Sequence, residues 1–335
     1  MTEETAWGGG LWAAADLITP MAVRVAATLR LGDHITAGSG TPESLAAATG
    51  THPDTLRRVL DHLVTAGLLT RPEPGVYGLT DLGEQLRDDH PGGIRSWLDM
   101  TGAIGRAELS FVDLLHTVRT GEAAYPHRYG RPFWEDVAAD PDRAASFDAL
   151  MGSRLRDDAP AVATGYPWGT LGHLVDVGGG DGTLLIAILA AHPGLRGTVL
   201  DLPGPAERAR AAIDAAGLND RADARPGSFF DELPPGAGGY LLSGILHDWD
   251  DAGATRILRN CAQAAGGRGR VLVMEDDVAD EPSTEGDLRM LCYVNGRERG
   301  VTQLGDLAAA AGLVVETVVP AGTRAIVEMR RDTGK

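Results

Sequence analysis

The segment that most constrains the fold is a short apolar run, Leu174–Val177, followed by glycines and then by a longer apolar stretch, LLIAILAAH. A short run bounded by glycine indicates a buried strand, and the longer stretch has the length of a helix. Gly178, Gly180 and Gly182 allow the sharp turn and close backbone approach that a strand-to-helix junction needs. The segment therefore predicts one strand–loop–helix unit of an α/β domain.

The second half of the chain repeats this alternation. Strand-length apolar runs recur at Gly197–Leu200, Gly239–Leu242 and Val271–Met274, and helical segments separate them. Strands that alternate with helices favour βαβ units and a mostly parallel sheet. Both faces of such a sheet are buried, which accounts for apolar runs that do not alternate with polar residues. We therefore predict an α/β fold for the C-terminal part of the chain.

The first hundred residues have a different pattern, with helices and one short hairpin. Thr41 followed by a proline and an acid marks a helix start, and a second helix begins near Pro53 and stops at Gly67. Two short strands, Leu68–Thr70 and Val76–Leu79, follow around a turn rich in proline and glycine. Helix, helix and hairpin in this order predict a winged helix.

A winged helix can bind DNA or serve as a packing and dimerisation module, and the charges favour the second role. The second helix carries Arg57 and Arg58 but also Asp54 and Asp61, so it has no one-sided basic face. The whole chain has 30 basic and 47 acidic side chains, a formal net charge of -17. Because nucleic acid binding requires a positive surface, we expect no nucleic acid partner.

The cysteines and the composition of the N-terminus indicate the cellular compartment. Cys261 and Cys292 are too few for a disulfide framework and lack metal-ligand spacing. The first residues are acidic where a secretion signal would be basic, and no apolar run approaches the length of a membrane span. We therefore expect a soluble cytoplasmic protein that has no metal site.

Acidic residues at the ends of two predicted strands indicate a nucleoside site. Asp176 precedes glycines whose G-x-G-x-G spacing differs from the G-x-G-x-x-G of dinucleotide-binding loops. An acid there suits a ligand with nearby cationic groups, such as the amino acid part and the sulfonium of S-adenosylmethionine. Asp201 ends the next strand, where a carboxylate can accept hydrogen bonds from ribose hydroxyls. Taken singly, the two features could also be a tight turn and a helix N-cap.

Several segments in order identify a family. They are VDVGGGDG, LDLPG, GSFFDELPPGAGGY, LLSGILHDWDD and DLRMLCYVNGRERG. This order resembles the bacterial and plant small-molecule O-methyltransferases, and most resembles the naphthoic acid O-methyltransferases of enediyne antibiotic biosynthesis. The resemblance implies methylation of a hydroxyl on a small aromatic molecule. It also implies a homodimer through the N-terminal domain, in which the apolar helix around Met21–Leu31 is buried.

The resemblance covers nearly the whole chain and predicts its domains. A winged-helix dimerisation domain is expected over residues 1–95 and a helical linker that contributes to the substrate pocket over 96–160. A Rossmann-like domain of the class I methyltransferases, which binds S-adenosylmethionine, is expected over 161–335.

The cofactor residues combine the glycine-loop positions with those that match the family. They are Asp176, Gly178, Gly180, Asp201, Leu202, Gly227, Ser228, Phe229 and Ser243. Many relatives have Asp where Ser228 stands, and plant members have Lys where Ser243 stands. The resemblance therefore implies an altered adenine contact through hydroxyl or backbone groups, without loss of binding.

The catalytic residues implied by the resemblance are His247 as general base and two flanking carboxylates, Glu298 and Glu328. His247 also follows an apparent strand, at the edge of the sheet where such folds bind ligands. A phenol of pKa near ~10 and an imidazole near ~6.5 differ by about 3.5 units, so complete transfer costs roughly 4.8 kcal/mol without help. Without these roles, His247 would be a helix cap or a core residue, and the glutamates would be surface charges.

The substrate pocket is expected along one helix face and near the base. Phe147 and Met151 match family positions that sandwich an aromatic acceptor, although plain core packing explains them equally well. Arg154 follows on the same face and could meet a substrate carboxylate or pair with a neighbouring aspartate. The other candidates are Asp248, Tyr293, Trp97 and Thr323.

Three other functions remain open from the sequence. Relatives of the same fold hydroxylate, decarboxylate or catalyse pericyclic steps with S-adenosylmethionine bound, often with an altered histidine. A winged-helix regulator with a ligand-sensing C-terminal half is disfavoured by the acidity of the chain. An oxidoreductase that uses NAD is disfavoured by the glycine spacing.

Overall fold

The structure, a computed structural model, describes residues 10–275 and 282–332. The chain divides into two compact units, one of residues 1–109 and 140–147 and one of residues 110–139 and 148–335. The domain limits at residues 95 and 160 stay a prediction.

The elements are numbered along the chain. The helices are Leu11–Ala15 (α1), Ile18–Thr28 (α2), Leu31–Thr36 (α3), Pro42–Thr49 (α4), Pro53–Thr65 (α5), Ile94–Leu98 (α6), Ala103–Glu108 (α7), Leu114–Thr120 (α8), Ala124–Tyr129 (α9), Phe133–Ala138 (α10), Pro141–Gly165 (α11), Thr183–Ala191 (α12), Pro203–Ala215 (α13), Asp251–Ala265 (α14), Thr284–Val294 (α15) and Val301–Ala310 (α16). The strands are Leu69–Glu73 (β1), Val76–Leu79 (β2), His173–Val177 (β3), Arg196–Asp201 (β4), Ala222–Pro226 (β5), Gly239–Ser243 (β6), Arg270–Glu275 (β7), Leu313–Ala321 (β8) and Arg324–Arg331 (β9).

The first unit contains the predicted helices and hairpin. Helix α4 begins with a capping box, in which the Thr41 hydroxyl accepts from the Ser44 amide at 3.2 Å and the Ser44 hydroxyl accepts from the Thr41 amide at 3.1 Å. Helix α5 follows, and β1 pairs antiparallel with β2. Leucines of these helices, among them Leu45 and Leu60, form the core of the unit. The order of elements predicted for this region is confirmed.

The apolar segment Met21–Leu31 differs from the prediction, because it is not one helix. Helix α2 ends at Thr28, and Arg30 has a φ of 52° before α3 begins. Ala26, Ala27 and Leu31 are buried in the core of their own unit. These three side chains are therefore covered within their own unit, whereas Met21 and Val25 of the same segment line an open groove.

The second unit is built on a mixed sheet. In the described residues it has seven strands in the order β5-β4-β3-β6-β7-β9-β8, with β3 to β7 parallel and β9 antiparallel to both β7 and β8. The four strands predicted from apolar runs are all present. The predicted α/β class with a mostly parallel sheet is confirmed.

The sheet arrangement determines where a ligand can bind. Strands β3, β4, β6 and β7 are neighbours and parallel, so their carboxyl ends meet at one edge. Helix α12 is buried against the sheet through Leu184, Leu185, Ile188 and Leu189, which holds the loop before it in place. Among the described residues, no helix is long and apolar enough to cross a membrane.

Candidate active site

The glycine loop after β3 forms the floor of the site. Gly178 has a φ of +76°, and a Cβ on it would lie 2.5 Å from Cδ1 of Ile245. Its amide donates to the Leu200 carbonyl at 2.8 Å, which ties the loop to β4. Gly180 has a φ of +59°, and its amide donates to Oδ2 of Asp201 at 2.8 Å. Side chains are excluded here by sterics and backbone conformation, so the backbone is open to a ligand.

Asp176, the last polar residue of β3, is a buried carboxylate. It is 1% exposed, and neither of its oxygens has a hydrogen-bond partner in the described residues. Burial, together with the charges of Asp201 and Asp181, raises its pKa to about 7. A buried carboxylate of this kind is costly unless a cation or a donor meets it. The cationic amino acid and sulfonium groups of S-adenosylmethionine fit this requirement.

Asp201 ends β4 beside Asp176 and the glycine loop. Its Oδ1 accepts from the Leu202 amide at 2.6 Å, and Oδ2 accepts from Gly180. Burial raises its pKa, and the two amides act in the opposite direction. Each carboxylate oxygen has a second lone pair, so the side chain can still accept from two vicinal hydroxyls. The prediction of a ribose contact fits this geometry.

The segment after β5 contributes aromatic rings and backbone groups. The Gly227 amide donates to the Asp201 carbonyl at 2.8 Å, which joins this segment to β4. The Ser228 hydroxyl accepts from the Phe230 amide at 3.2 Å, so its own proton remains available for a ligand. The Phe229 ring lies edge-on to Trp249, with centroids 5.7 Å apart. The flat nucleobase of a ligand would pack against these aromatic rings.

Ser243 ends β6 at the same edge of the sheet. Its hydroxyl oxygen is buried and has no hydrogen-bond partner in the described part of the chain. A buried hydroxyl without a partner is uncommon in folded proteins. It is therefore a second group at this edge that a ligand could satisfy.

His247 lies in a short 3-10 turn, Leu246–Asp248, directly after β6. Its Nδ1 is 3.0 Å from Oε2 of Glu275 and 3.8 Å from Oε1 of Glu298, and its Nε2 is 3.6 Å from Oδ1 of Asp248. The contact with Glu275 is a close ion pair, since neither atom has a well-aligned hydrogen bond in the described residues. The His247 side chain is 19% exposed, so the protein covers it only in part.

The surrounding carboxylates change the basicity of His247. Burial by itself lowers the pKa of His247, but the charges of Glu275, Asp248 and Glu298 outweigh burial and raise it. Burial raises the pKa of Asp248, and the imidazole opposes this. The result is an imidazole whose protonated form is strongly stabilised, as a proton acceptor for a phenol requires.

The turn that carries His247 is held by the segment after α15. The Arg297 amide donates to the His247 carbonyl at 2.8 Å. A Cβ on Gly296 would lie 2.1 Å from the same carbonyl oxygen. The buried Arg299 guanidinium donates to the carbonyls of Leu246 at 2.8 Å and Trp249 at 2.7 Å. Backbone on both sides of the base is therefore fixed.

The prediction that Glu328 flanks the base is wrong. Opposite Glu328 on β7 is Leu272, whereas the residue opposite Glu275 is Ala325, so Glu328 lies well below the edge of the sheet. Its carboxylate accepts from the Tyr166 hydroxyl at 2.7 Å and pairs with Nε of Arg270 at 3.2 Å. The second carboxylate beside His247 is Glu275.

Sequence reasoning missed Glu275, although a signal was present. Glu275 follows the apolar run Val271–Met274, just as Asp176 and Asp201 stand at the ends of their strands. Strand β7 is the direct neighbour of β6, whose following turn carries the base. The rule that identified the other two acids would therefore have identified Glu275.

The candidate substrate residues are spread over both units. Met151 and Arg154 belong to the second unit, where Met151 is half-buried and Arg154 exposed, and half-buried Phe147 and Trp97 belong to the first. Tyr293 of α15 is buried, with its ring 6.2 Å from Phe133. Arg154 and Phe147 both have interactions within the chain.

Thr323 has a structural partner instead of a position at the base. Its hydroxyl donates to Oδ1 of Asp158 at 2.9 Å, and Nε of Arg324 lies 3.1 Å from Oδ2 of the same residue. Both oxygens of Asp158 are thus used by β9 and the turn before it, which leaves Asp157 as the less engaged of the two aspartates beside Arg154.

Comparison with known proteins identifies the class. Residues 111–314 match the family described as O-methyltransferase domain, and residues 12–88 match the O-methyltransferase dimerisation domain. The chain belongs to this O-methyltransferase family and is an S-adenosylmethionine-dependent enzyme.

Individual relatives cover nearly all of the chain. It is 57% identical to the 2,7-dihydroxy-5-methyl-1-naphthoate 7-O-methyltransferase of Streptomyces carzinostaticus, over 96% of this chain and 97% of the relative. The crystal structure of an O-methyltransferase from neocarzinostatin biosynthesis, in complex with S-adenosylmethionine and 2-hydroxy-5-methyl naphthoic acid, is 56% identical and has a TM-score of 0.93, over 96% of this chain and 99% of that one. The aclacinomycin 10-hydroxylase of Streptomyces purpurascens is 48% identical, over 92% and 84%.

Proposed function

We propose that this enzyme methylates a hydroxyl group of a hydroxylated naphthoic acid in the biosynthesis of an antibiotic. The observation that carries the proposal is a partly exposed imidazole, His247, surrounded by three carboxylates at the sheet edge that also holds Asp176, whose oxygens have no hydrogen-bond partner among the described residues. The likeness to a naphthoate 7-O-methyltransferase supports the acceptor class.

His247 acts as the general base through Nε2. Glu275 and Glu298 face Nδ1 and stabilise the imidazolium that forms when the acceptor hydroxyl loses its proton. Because these charges raise the pKa of His247, they reduce the mismatch of about 3.5 units between imidazole and phenol. Base catalysis of this kind contributes about 10²–10⁴-fold.

The cofactor is held by groups at the ends of β3, β4, β5 and β6. S-adenosylmethionine, when bound, supplies an electrophilic methyl group on a sulfonium. Asp176 would attract its cationic end, the backbone of the loop from Gly178 to Gly180 would lie against it, and Asp201 would accept hydrogen bonds from the ribose hydroxyls. The nucleoside would be surrounded by the remaining cofactor residues, which are Leu202, Gly227, Ser228, Phe229 and Ser243. These residues fix the direction from which the acceptor oxygen must approach.

The acceptor is positioned by the remaining candidates. Met151 provides apolar surface for an aromatic ring, and Tyr293 adds an aromatic side chain. Arg154, an exposed cation on the same helix as Met151, neutralises the carboxylate of an aryl acid. Asp248, 3.6 Å from Nε2 of His247, contacts the acceptor next to the base.

The test is methylation of a panel of hydroxylated naphthoic and benzoic acids, followed by mass spectrometry. Wild type is expected to add one methyl group to a naphthoic acid. His247→Ala is expected to lose this activity while it binds S-adenosylhomocysteine with unchanged affinity in titration calorimetry. For Arg154→Met, a rise in the acceptor KM at constant kcat is expected with naphthoic acids and not with the corresponding naphthols. Failure of wild type to bind the cofactor would reject the proposal.

A second candidate function follows from the 48% identity to a hydroxylase. In that case the same fold would bind the cofactor without transferring its methyl group. The group of carboxylates around His247 favours methylation, because a strengthened base is needed only where a proton is removed from the acceptor. An acceptor that gains 16 instead of 14 mass units would establish the hydroxylase reading.

The proposal also covers the oligomeric state and the cellular compartment of the enzyme. The dimerisation domain supports a homodimer, and exposed apolar side chains at the start of the chain, among them Leu11, Leu17 and Ile18, provide surface for it. An open groove of about 370 Å³ beside them is lined by Met21 and Val59. Light scattering should give twice the 35.1 kDa chain mass, and Ile18→Glu should shift it toward the monomer. Cys261 and Cys292 are buried and form no disulfide, which supports a cytoplasmic site of action.

A further inference from the structure

Four carboxylates from four elements surround the glycine loop. Asp176 lies at the end of β3, Asp181 in the loop, Asp201 at the end of β4 and Asp148 on α11. Gly152, one turn after Asp148, would carry a Cβ 3.3 Å from Oδ2 of Asp181, so this part of α11 borders the loop directly. Burial, opposed by Arg208 and reinforced by the charges of Asp181 and Asp201, raises the pKa of Asp148.

Two guanidinium groups face these carboxylates. Nε of Arg208, on α13, is 2.6 Å from Oδ2 of Asp148. Nη1 of Arg156 is 3.5 Å from the position of a Cβ on Gly152. Among the described residues around the loop, the carboxylates therefore outnumber the cations, and Asp148 with Arg208 forms an ion pair at the rim, with side chains 19% and 41% exposed.

The excess negative charge is directed at a ligand. Asp176 is 1% exposed, and both of its oxygens lack a hydrogen-bond partner in the described part of the chain. An acidic side chain that only stabilised the fold would be paired or hydrogen-bonded. The loop region thus has an unpartnered, buried anion at its centre and a balanced ion pair at its rim.

We propose that Asp148 is a specificity residue that makes the site prefer the positively charged methyl donor over the neutral product, and that Arg208 limits this preference. The proposal rests on the cofactor site proposed above. S-adenosylmethionine carries an ammonium, a carboxylate and a sulfonium, a net charge of about +1. Transfer of the methyl group converts the sulfonium to a thioether, so S-adenosylhomocysteine differs mainly by the loss of that one charge.

The size of the effect follows from Coulomb's law. With an effective dielectric constant of about 20 and a separation of about 8 Å, screened by salt, one unit charge changes the affinity for a cation about tenfold. The same charge changes the affinity for a ligand of zero net charge much less. Spent cofactor would therefore leave more readily than donor, which favours turnover.

The experiment compares three ligands with two variants in titration calorimetry at pH 8 and low salt. The ligands are S-adenosylmethionine, S-adenosylhomocysteine and sinefungin, which has a protonated amine in place of the methylsulfonium. Asp148→Asn removes a negative charge and Arg208→Gln removes a positive one, so both break the same ion pair. Asp157→Asn, on the opposite face of α11, is the control.

Opposite changes are expected from the two variants. Asp148→Asn should weaken S-adenosylmethionine and sinefungin about tenfold and S-adenosylhomocysteine less than threefold, whereas Arg208→Gln should strengthen the first two relative to the third. Asp148→Glu should restore the preference, which excludes a folding defect. Equal changes for all three ligands, or changes of the same sign in both variants, would overturn the proposal. If wild type binds none of the ligands, the proposed function itself fails.

Discussion

Two buried carboxylate clusters lie in the second unit, and they differ in how completely they are satisfied. Beside His247 at the edge of the sheet, Nδ1 of the imidazole and Oε2 of Glu275 lack aligned hydrogen bonds among the described residues. Lower on the sheet, Glu328 accepts from Tyr166 and pairs with Arg270 and with Arg330, the latter at 3.2 Å. Glu275 lies on β7 and Glu328 on β9, yet within the described part of the chain only the first cluster has buried polar atoms without a hydrogen bond.

This difference separates a reactive site from a structural one. A buried polar network that is fully paired stabilises a single arrangement of the fold, whereas unpaired buried groups cost free energy that only a ligand or a reaction can recover. Asp176 belongs with the first kind and Glu328 with the second. Five substitutions can test the distinction.

The largest effect is expected at the base. His247→Ala should lower kcat by about 10²–10⁴-fold, because the acceptor hydroxyl then has no positioned proton acceptor. The affinity for S-adenosylhomocysteine should stay close to that of wild type, whereas the melting temperature should fall because Glu275 loses its partner in a buried position. Retention of more than about a tenth of the wild-type kcat would mean that methyl transfer does not depend on this imidazole.

Replacement of Asp176 should separate binding from stability. Its folded pKa of about 7 lies above the usual value of 3.8, so its contribution to stability is present below about pH 4 and is lost as pH rises through 7. The loss amounts to about 4 kcal/mol at most. Asp176→Asn should therefore stabilise the ligand-free protein at pH 8 and weaken cofactor binding about a hundredfold, as measured by urea unfolding and calorimetry.

Asp201→Asn is the matched comparison for this experiment. Burial raises the pKa of Asp201 as well, but its two oxygens accept from two amides and asparagine has only one acceptor oxygen. Its replacement leaves one buried amide without an acceptor and should destabilise the ligand-free protein instead. If both variants lose stability at pH 8, an unpartnered carboxylate is not the feature that distinguishes Asp176.

A smaller effect is expected for the carboxylate behind the base. Glu275→Gln removes the nearest charge that raises the pKa of His247. The acidic limb of the pH profile of kcat/KM should move to lower pH, by about one unit, and kcat should fall about tenfold as the base weakens. An unchanged profile would show that Glu275 acts only through packing.

The smallest effect on catalysis is expected at Glu328. Glu328→Gln should change kcat less than about threefold but lower the free energy of unfolding by about 2 kcal/mol, because Arg270 then loses its partner in a partly buried position. Urea unfolding and the methylation assay check both parts. Normal stability with a large loss of kcat would return Glu328 to the catalytic group.

The fold was predictable where the sequence pattern reflects burial. Strands β3, β4, β6 and β7 are buried on both faces and appear as apolar runs, and they match the predicted positions closely. Strand β5, with the sequence ADARP, lies at the edge of the sheet with alternating burial, so its composition did not distinguish it from a loop. Strands β8 and β9 pair with each other antiparallel, and this reversal depends on contacts between distant residues.

The site was predictable only in part, for a related reason. Asp176, Asp201 and His247 each stand at the end of a strand, and the topology of a parallel sheet brings such positions together. Glu328 was placed by resemblance alone, without reference to register. The register of β9 against β7 decides which residue reaches the edge of the sheet. Glu328 lies three residues beyond Ala325, the residue opposite Glu275, and therefore has a structural position instead of a catalytic one.

The hydrogen bonds of Arg299 to the backbone around His247 affect how the substrate range of this enzyme can evolve. Its guanidinium fixes the backbone on both sides of His247 through carbonyls that do not depend on side-chain identity. Substitutions elsewhere in the acceptor pocket therefore leave the coordinates of the base nearly unaltered. Single substitutions in the pocket can therefore change which acceptors are methylated, because the proton acceptor stays in position. In this fold, the residues that remove the proton and the residues that select the acceptor can change independently during evolution.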